Sequence, residues 1–315
     1  MKILVTGGAG FIGSHVVDAY IKAGHKVVVV DDLSSGCEDN IHPEAVFYKQ
    51  DICSDKLSEI FAKERPDVVN HHAAHVSVPM SVIKPLYDAR VNIVGLLNVL
   101  QCSVATKVGK VIFISSGGSV YGEAREYPTT ENCPHAPESV YAIHKSTGER
   151  YLDFYHKQHG LGYTILRYAN VYGPRQMPSG EAGVISVFID KLLRNETPVL
   201  NVFPDEPAGM IRDYVFVRDV VTANLLALEG GFNDVFNIGT GIETRTGHLL
   251  HTIAELMGMS ITPKTAPARD GDIRRSLLDI HKAKELLGWS PEYSLSQGLS
   301  ETILFHKNKQ DRGNQ

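Results

Sequence analysis

The sequence predicts an α/β protein, a doubly wound parallel sheet joined to a smaller α/β substrate-binding domain. Three observations support this. Short apolar runs fit for buried strands alternate with helical stretches through the first half of the 315-residue chain. Three glycines, Gly7, Gly10 and Gly13, fill the turn between the first run and the first helix. A carboxylate, Asp31, closes the second run 18 residues past Gly13. Together they form the signature of a Rossmann dinucleotide-binding unit.

The first run is Ile3–Val5. The turn TGGAGFIGSH then leads into a helix on which Val16, Val17, Tyr20 and Ile21 recur at helical spacing. Glycines permit a tight turn and let backbone approach a pyrophosphate. The open N–H groups of the helix start face those phosphates, with the helix dipole behind them. Asp31 is placed to meet the adenosine ribose 2′-hydroxyl. It would repel a 2′-phosphate, which favours NAD over NADP.

Further strand-like runs are Val27–Val30, Val46–Tyr48, Val68–Asn70, Val111–Ile114 and Thr164–Leu166, with long helices expected over Leu86–Val104 and Val140–His156. Ligands of such sheets lie beyond the C-terminal strand ends, so the loops there supply the candidates. Asp32, Ser35 and Gly36 follow the second run, near the adenosine. Asp51 and Ile52 follow the third, where Asp51 either takes the adenine amino group or caps a turn. After the fourth come His71, His72, Ala73, Ala74 and His75. His71 and His72 should point to opposite faces, and no acid or cysteine is near in sequence, so no metal site is expected. Small Ala73 and Ala74 let backbone approach the cofactor diphosphate or nicotinamide ribose.

Ser115, Ser116, Gly117 and Gly118 follow the fifth run, and Tyr141 and Lys145 open the helix that comes next. Residues i and i+4 share a helix face, so phenol and ammonium are neighbours. Oxidising an alcohol requires a base on its hydroxyl. A phenol of pKa ~10 is a poor base at neutral pH. An ammonium ~4 Å away contributes about 4 kcal/mol at an effective dielectric of ~20. That is roughly three pKa units, an upper-end figure since both groups also meet solvent. Ser116 would hold the same substrate oxygen.

Composition excludes other classes. Net charge is −5, with 43% apolar and 21% charged residues, so there is no basic field for nucleic acid or anionic lipid. Cys37, Cys53, Cys102 and Cys133 show no zinc spacing and read as reduced thiols of a cytoplasmic protein. No apolar run approaches the ~18 residues that span a membrane. The N-terminal strand and glycines lack a signal-peptide pattern. The polar tail Lys307–Gln315 is expected to fray.

TGGAGFIGSH, DDLSSG, SSGGSVYGE, YAIHK, LRYANVYGPRQ, RDYVFVRDV, FNIGTG and the GWSP stretch at Trp289 span nearly the whole chain. They resemble the extended short-chain dehydrogenase/reductases, and within them the UDP-glucose 4-epimerases. The resemblance implies Ser116, Tyr141 and Lys145 as the catalytic set. Tyr141 would take the sugar 4-hydroxyl proton while hydride passes from C4 to NAD; the 4-keto sugar would turn and take it back on its other face. The resemblance further implies a cofactor site lined by Phe11, Ile12, Asp31, Asp32, Asp51, Ile52, Asn92 and Tyr168. Asn170, with Gly117 and Gly118, would touch the sugar nucleotide. Gly183 and Val184 would open a helix at the uridine. Arg212, Arg269 and Asp272 would hold diphosphate and uridine. It implies residues 1–169 with 213–240 as the NAD domain and about 170–212 with 241–315 as the nucleotide-sugar domain. The implied partners are a UDP-sugar and a second copy, packed through the two long helices.

Three departures from that pattern stand out. The stretch between Phe203 and Arg212 is longer and more acidic. His72 and His75 replace apolar and Gln-like or Lys-like residues, and His75 would alter cofactor affinity. Ser276 stands where a bulky tyrosine would narrow the sugar pocket, which predicts action on UDP-N-acetylhexosamines too. Among rivals, a 4,6-dehydratase needs an acid and a base after the serine, where Gly117 and Gly118 stand. A UDP-glucuronate 4-epimerase needs a contact to the C5 carboxylate, and a net sugar-nucleotide oxidoreductase would release its reduced cofactor. A non-catalytic NAD-sensing scaffold has no need of Ser116, Tyr141 and Lys145 together.

Overall fold

The structure, a computed structural model, describes residues 1–178, 183–269 and 271–313. In the first half β1 (Lys2–Thr6), α1 (Phe11–Lys22), β2 (Lys26–Asp31), β3 (Val46–Lys49), α2 (Leu57–Glu64) and β4 (Val68–His71) lead to α3 (Val78–Ile83) and α4 (Pro85–Ala89). A π-helical stretch, Arg90–Gly95, joins α4 to α5 (Leu96–Ala105), followed by β5 (Lys110–Ser116), α6 (Val140–His159) and β6 (Gly162–Tyr168). The second half holds β7 (Asn170–Tyr172), α7 (Val184–Leu193), β8 (Val199–Val202), β9 (Ile211–Arg212), β10 (Tyr214–Phe216) and α8 (Val217–Glu229). Then come β11 (Asp234–Ile238), β12 (Thr244–Arg245), α9 (Thr246–Leu256), β13 (Lys264–Pro267), α10 (His281–Leu286) and α11 (Leu295–Gly313).

Seven strands form the main sheet in the order β11-β6-β5-β4-β1-β2-β3, every pair parallel. Valine-rich runs suit it because helices cover both faces: Val27 to Val30 are all buried. One core holds Ile3, Val5, Val27 and Ile112 on one face; a second holds Leu4, Val28, Val69 and Phe113 on the other. The strand order reverses between β1 and β4, and a crevice opens there at the C-terminal ends.

A third core packs α7, α9 and α11 through Ile185, Phe188, Leu249, Ile253, Leu299 and Ile303. Three two-stranded pieces, β10-β7, β12-β9 and β13-β8, connect it to the sheet side. The FNIG run returns as β11, with Phe236 paired to Leu166.

Three expectations are corrected. The helix over 86–104 is interrupted by the π-helical stretch. There Gly95 presses on Ile52, where a Cβ would meet Ile52 Cδ1 at 2.5 Å, and Asn92 turns onto the His75 main chain. Residues 307–313 continue α11, anchored by buried Ile303 and His306; the last two residues of the tail expected to fray lie outside the described residues. The 278–289 segment does not pack on the substrate side: Leu278, Ala283, Leu287 and Trp289 join the first core of the main sheet, and Trp289 Nε1 donates to the Asp219 carbonyl at 2.8 Å.

Candidate active site

A cleft of about 820 Å³ runs along the C-terminal strand ends and into the third core, toward the upper end of small-molecule sites. At one end the glycine turn closes tightly. Gly7 has φ +70°, and a Cβ there would meet the Ala73 nitrogen at 2.6 Å; one on Gly13 would meet the Gly7 carbonyl oxygen at 2.2 Å. Both positions therefore need glycine. Helix α1 starts at Gly10 with no side-chain cap and no acid in its first turn, leaving its N–H groups for an anion. Asp31 is oriented by the Ala9 N–H at 3.0 Å and the Leu33 N–H at 2.9 Å, and burial pushes its carboxyl up. These features fit NAD: open amides for its diphosphate and a fixed carboxylate for its ribose.

The cleft wall places most of the expected cofactor residues: Gly7, Gly10, Phe11, Ile12, Gly13, Asp31, Asp32, Ser35, Asp51, Ile52, His72, Ala73, Ala74, His75 and Tyr168 all line it. Two do not. Gly36 sits behind Asp31, where a Cβ would meet Asp31 Oδ1 at 2.9 Å. Asn92 stands behind the wall and holds the His75 main chain, its Oδ1 3.0 Å from the N–H and its Nδ2 2.9 Å from the carbonyl. Asp51 caps a turn through the Cys53 N–H at 2.8 Å and also pairs with Arg90 at 3.0 Å.

His71 and His72 diverge as expected. His71 bonds Thr6 Oγ1 at 2.8 Å and stacks on Phe113, while His72 faces the cleft. Burial first, then the Lys145 charge, pushes both imidazoles down to about 3, so both are neutral. Among the described residues no group of three His, Cys, Asp or Glu is arranged to hold a metal ion.

Mid-cleft stand Ser116, Tyr141 and Lys145. Helix α6 begins one residue before Tyr141, its start fixed by Ser139 Oγ accepting the Ala142 N–H at 3.2 Å. Lys145 Nζ donates to the Ile114 carbonyl at 2.9 Å and lies 5.8 Å from the centre of the Tyr141 ring. Burial pushes this ammonium down to about 8, while the Asp88 and Glu149 carboxylates hold it up. Ser116 Oγ is 3.2 Å from Ser119 Oγ at the end of β5.

At the far end Asn170, Gly183, Val184, Arg212, Arg269 and Asp272 line the cleft. Arg212 donates to the Ile211 carbonyl at 2.9 Å and reaches Met210 Sδ at 3.2 Å. No ion pair joins it to a carboxylate among the described residues, and burial pushes its guanidinium down. A half-buried cation without a carboxylate ion pair is suited to an anionic ligand. Asp272 accepts the Arg269 N–H at 2.8 Å, shaping that turn.

Gly117, Gly118 and Ser276 do not line the cleft. Gly117 packs on Leu278, and Ser276, buried, has its Oγ 3.8 Å from the place of a Gly118 Cβ. The longer 203–212 stretch is clasped by Asp205 pairing with Arg274 at 2.9 Å and by Arg274 lying over Phe203 at 4.1 Å. Sequence reasoning missed Arg90, Tyr214 and Thr246 in the cleft wall. Tyr214 Oη and Thr246 Oγ1 are buried without a hydrogen-bond partner among the described residues. Tyr214, two residues past Arg212 in RDY, was within reach of the motif.

Fold and cleft together define a dinucleotide-dependent enzyme of the doubly wound class. Residues 3–239 match the model of the NAD dependent epimerase/dehydratase family, and the chain belongs to that family. Across 98% of its length and 99% of the relative's, it is 44% identical to a UDP-glucose 4-epimerase of Mycolicibacterium smegmatis. The crystal structure of a Thermotoga maritima UDP-glucose 4-epimerase with UDP-glucose superposes at TM-score 0.95 with 49% identity, covering 98% of this chain and 100% of that one. A UDP-N-acetylglucosamine 4-epimerase of Methanobrevibacter ruminantium, solved with UDP-N-acetylmuramic acid, superposes at TM-score 0.91 with 36% identity over 98% of each chain.

Proposed function

We propose that the protein interconverts UDP-glucose and UDP-galactose by epimerisation at C4, using a retained NAD. The observation that carries this reading is the placing of Tyr141, Lys145 and Ser116 in one cleft, between an open phosphate turn and the half-buried Arg212. NAD, when bound, supplies the two-electron acceptor and donor.

The chain's own residues do the rest. Tyr141 takes the proton from the sugar 4-hydroxyl and later returns it, with the Lys145 ammonium favouring the charged form of its oxygen. Ser116 donates a hydrogen bond to that oxygen and holds it through the keto stage. Arg212 and Arg269 hold the diphosphate, so the sugar is free to turn while the nucleotide stays fixed. The α7 start at Gly183 and Val184 forms the uridine side, with Asn170 beside the sugar. The reading extends to UDP-N-acetylhexosamines, supported by the likeness to an N-acetylglucosamine epimerase; Ser276, which lies behind the cleft wall, does not bear on it. Failure to turn over UDP-N-acetylglucosamine would refute that extension.

The protein also pairs with a second copy through α4 to α6, where Leu86 is 86% exposed, Phe154 53% and Val94 52%. Light scattering should give twice the chain mass. The four free cysteines support a cytoplasmic place; no helix among the described residues is long and apolar enough to cross a membrane. Incubating purified protein with UDP-galactose, no NAD added, tests the main reading: UDP-glucose should appear, and its absence from protein carrying bound NAD would reject it.

A further inference from the structure

Behind the cleft wall stands a carboxylate with no solvent exposure, Asp88 on α4. Its Oδ2 accepts from His75 Nδ1 at 2.6 Å. Its Oδ1 accepts from His144 Nδ1 at 2.5 Å and from Asn92 Nδ2 at 3.0 Å. A buried carboxylate needs such donors, and three of them fix its orientation. The two imidazoles come from functionally distinct places. His75 belongs to the cleft wall after β4, and Asn92 clamps its main chain. His144 directly precedes Lys145 in α6. One carboxylate therefore ties the wall at residues 72–75 to the helix that carries Tyr141 and Lys145.

The same carboxylate acts on Lys145 through its charge. The groups facing that ammonium are Asp88 from α4, Glu149 and Tyr141 from its own helix, His71 and His72 from the end of β4, and the Ile114 carbonyl. His71 and His72 are neutral. Glu149 is engaged by Arg167 at 2.5 Å, which cancels much of its field. Asp88 is then the main negative charge that offsets a fully enclosed ammonium. A buried ammonium without such an offset gives up its proton more readily.

We propose that Asp88 is a positioning residue for the reaction. It locks His75 and His144, and through them the cleft wall and the first turns of α6, and it supplies the buried negative charge that keeps Lys145 charged. This rests on the epimerase reading above.

Three variants test it as purified holoenzymes: Asp88→Asn, Asp88→Glu and His144→Gln. The readouts are kcat for UDP-galactose across the pH range, NAD content and melting temperature. Asp88→Asn should retain NAD, lose about tenfold in kcat at neutral pH, and shift the alkaline limb of its profile down by about one pH unit. Asp88→Glu, which restores the charge, should bring the limb back. His144→Gln keeps the charge and loses one tether, so kcat should fall several-fold with the limb unmoved. A purely structural Asp88 would lower kcat equally at every pH; a limb unmoved in Asp88→Asn overturns the proposal. Should Asp88→Asn fail to fold, wild-type kcat in His144→Gln overturns it instead. An inactive wild type rejects the epimerase reading, whereas an active wild type with unresponsive variants rejects this proposal alone.

Discussion

Lys145 stands one helical turn beyond Tyr141, its ammonium 5.8 Å from the centre of the tyrosine ring and anchored on the Ile114 carbonyl at 2.9 Å. The anchor comes from β5, the strand that also ends in Ser116. Strand and helix thus hold the proposed base, its charge partner and the substrate-oxygen donor in one frame. Tyr141→Phe keeps the ring and removes the hydroxyl. Turnover should fall at least a thousandfold, on the order expected for an essential base, with NAD content unchanged. Nucleotide content after denaturation and a product assay check both parts; near-normal turnover would reject Tyr141 as the base.

The pH dependence follows from Lys145. Burial lowers its folded-state pKa from the ordinary lysine value to about 8. Below about 8 the ammonium is charged and the pair works; as pH rises through that value the charge is lost and kcat should fall. Stability runs the other way. The group is charged below its folded pKa in both states, and burial then disfavours the fold. That penalty fades between about 8 and the unfolded lysine value near 10.4. A kcat profile flat to pH ~10 would contradict the role given to the ammonium.

Arg212→Ala removes a half-buried guanidinium that makes no ion pair with a carboxylate among the described residues. The loss of charge-assisted bonds to a diphosphate, about 1.5–3 kcal/mol, corresponds to roughly 10- to 150-fold in kcat/KM, carried mainly by KM. Thermal stability should hold, since no ion pair with a carboxylate is lost. Steady-state kinetics and a melting curve distinguish this from a structural role, which would lower both.

Gly13→Ala would place a Cβ 2.2 Å from the Gly7 carbonyl oxygen. The turn must then open. The variant should purify with little or no NAD and melt lower, by the equivalent of about 1–3 kcal/mol. Full NAD occupancy would show that the turn does not carry the diphosphate.

Glu149→Gln leaves Arg167 buried without its charge partner; the pair now sits at 2.5 Å with Ser115, Tyr121 and His135 around it. Breaking such a pair costs about 3–5 kcal/mol. Chemical denaturation should show a loss of that size, and a change under ~1 kcal/mol would mean solvent reaches the arginine.

The sequence was most legible where chemistry is local. The glycine turn, Asp31 and the Tyr141–Lys145 spacing lie within single strand–turn–helix units, and the cleft brings them together. It was least legible where contact joins distant residues. Asp88 meets residues 13 and 56 positions away, and nothing in HHAAH says which acid will face it. Arg90, at the start of the π-helical stretch, reaches Asp51 across 39 positions of chain. Trp289 lies in a C-terminal stretch whose apolar positions give no sign of which core receives them. Ser276 follows a motif offset from Arg269, yet its side chain is buried behind the wall beside Gly118.

The most direct test of retained-cofactor epimerisation is the fate of the hydrogen at sugar C4. UDP-galactose deuterated at C4, given to the purified protein in ordinary water, should yield UDP-glucose with the deuterium still on C4. Product carrying solvent hydrogen at C4, or a stoichiometric build-up of free NADH, would contradict the account.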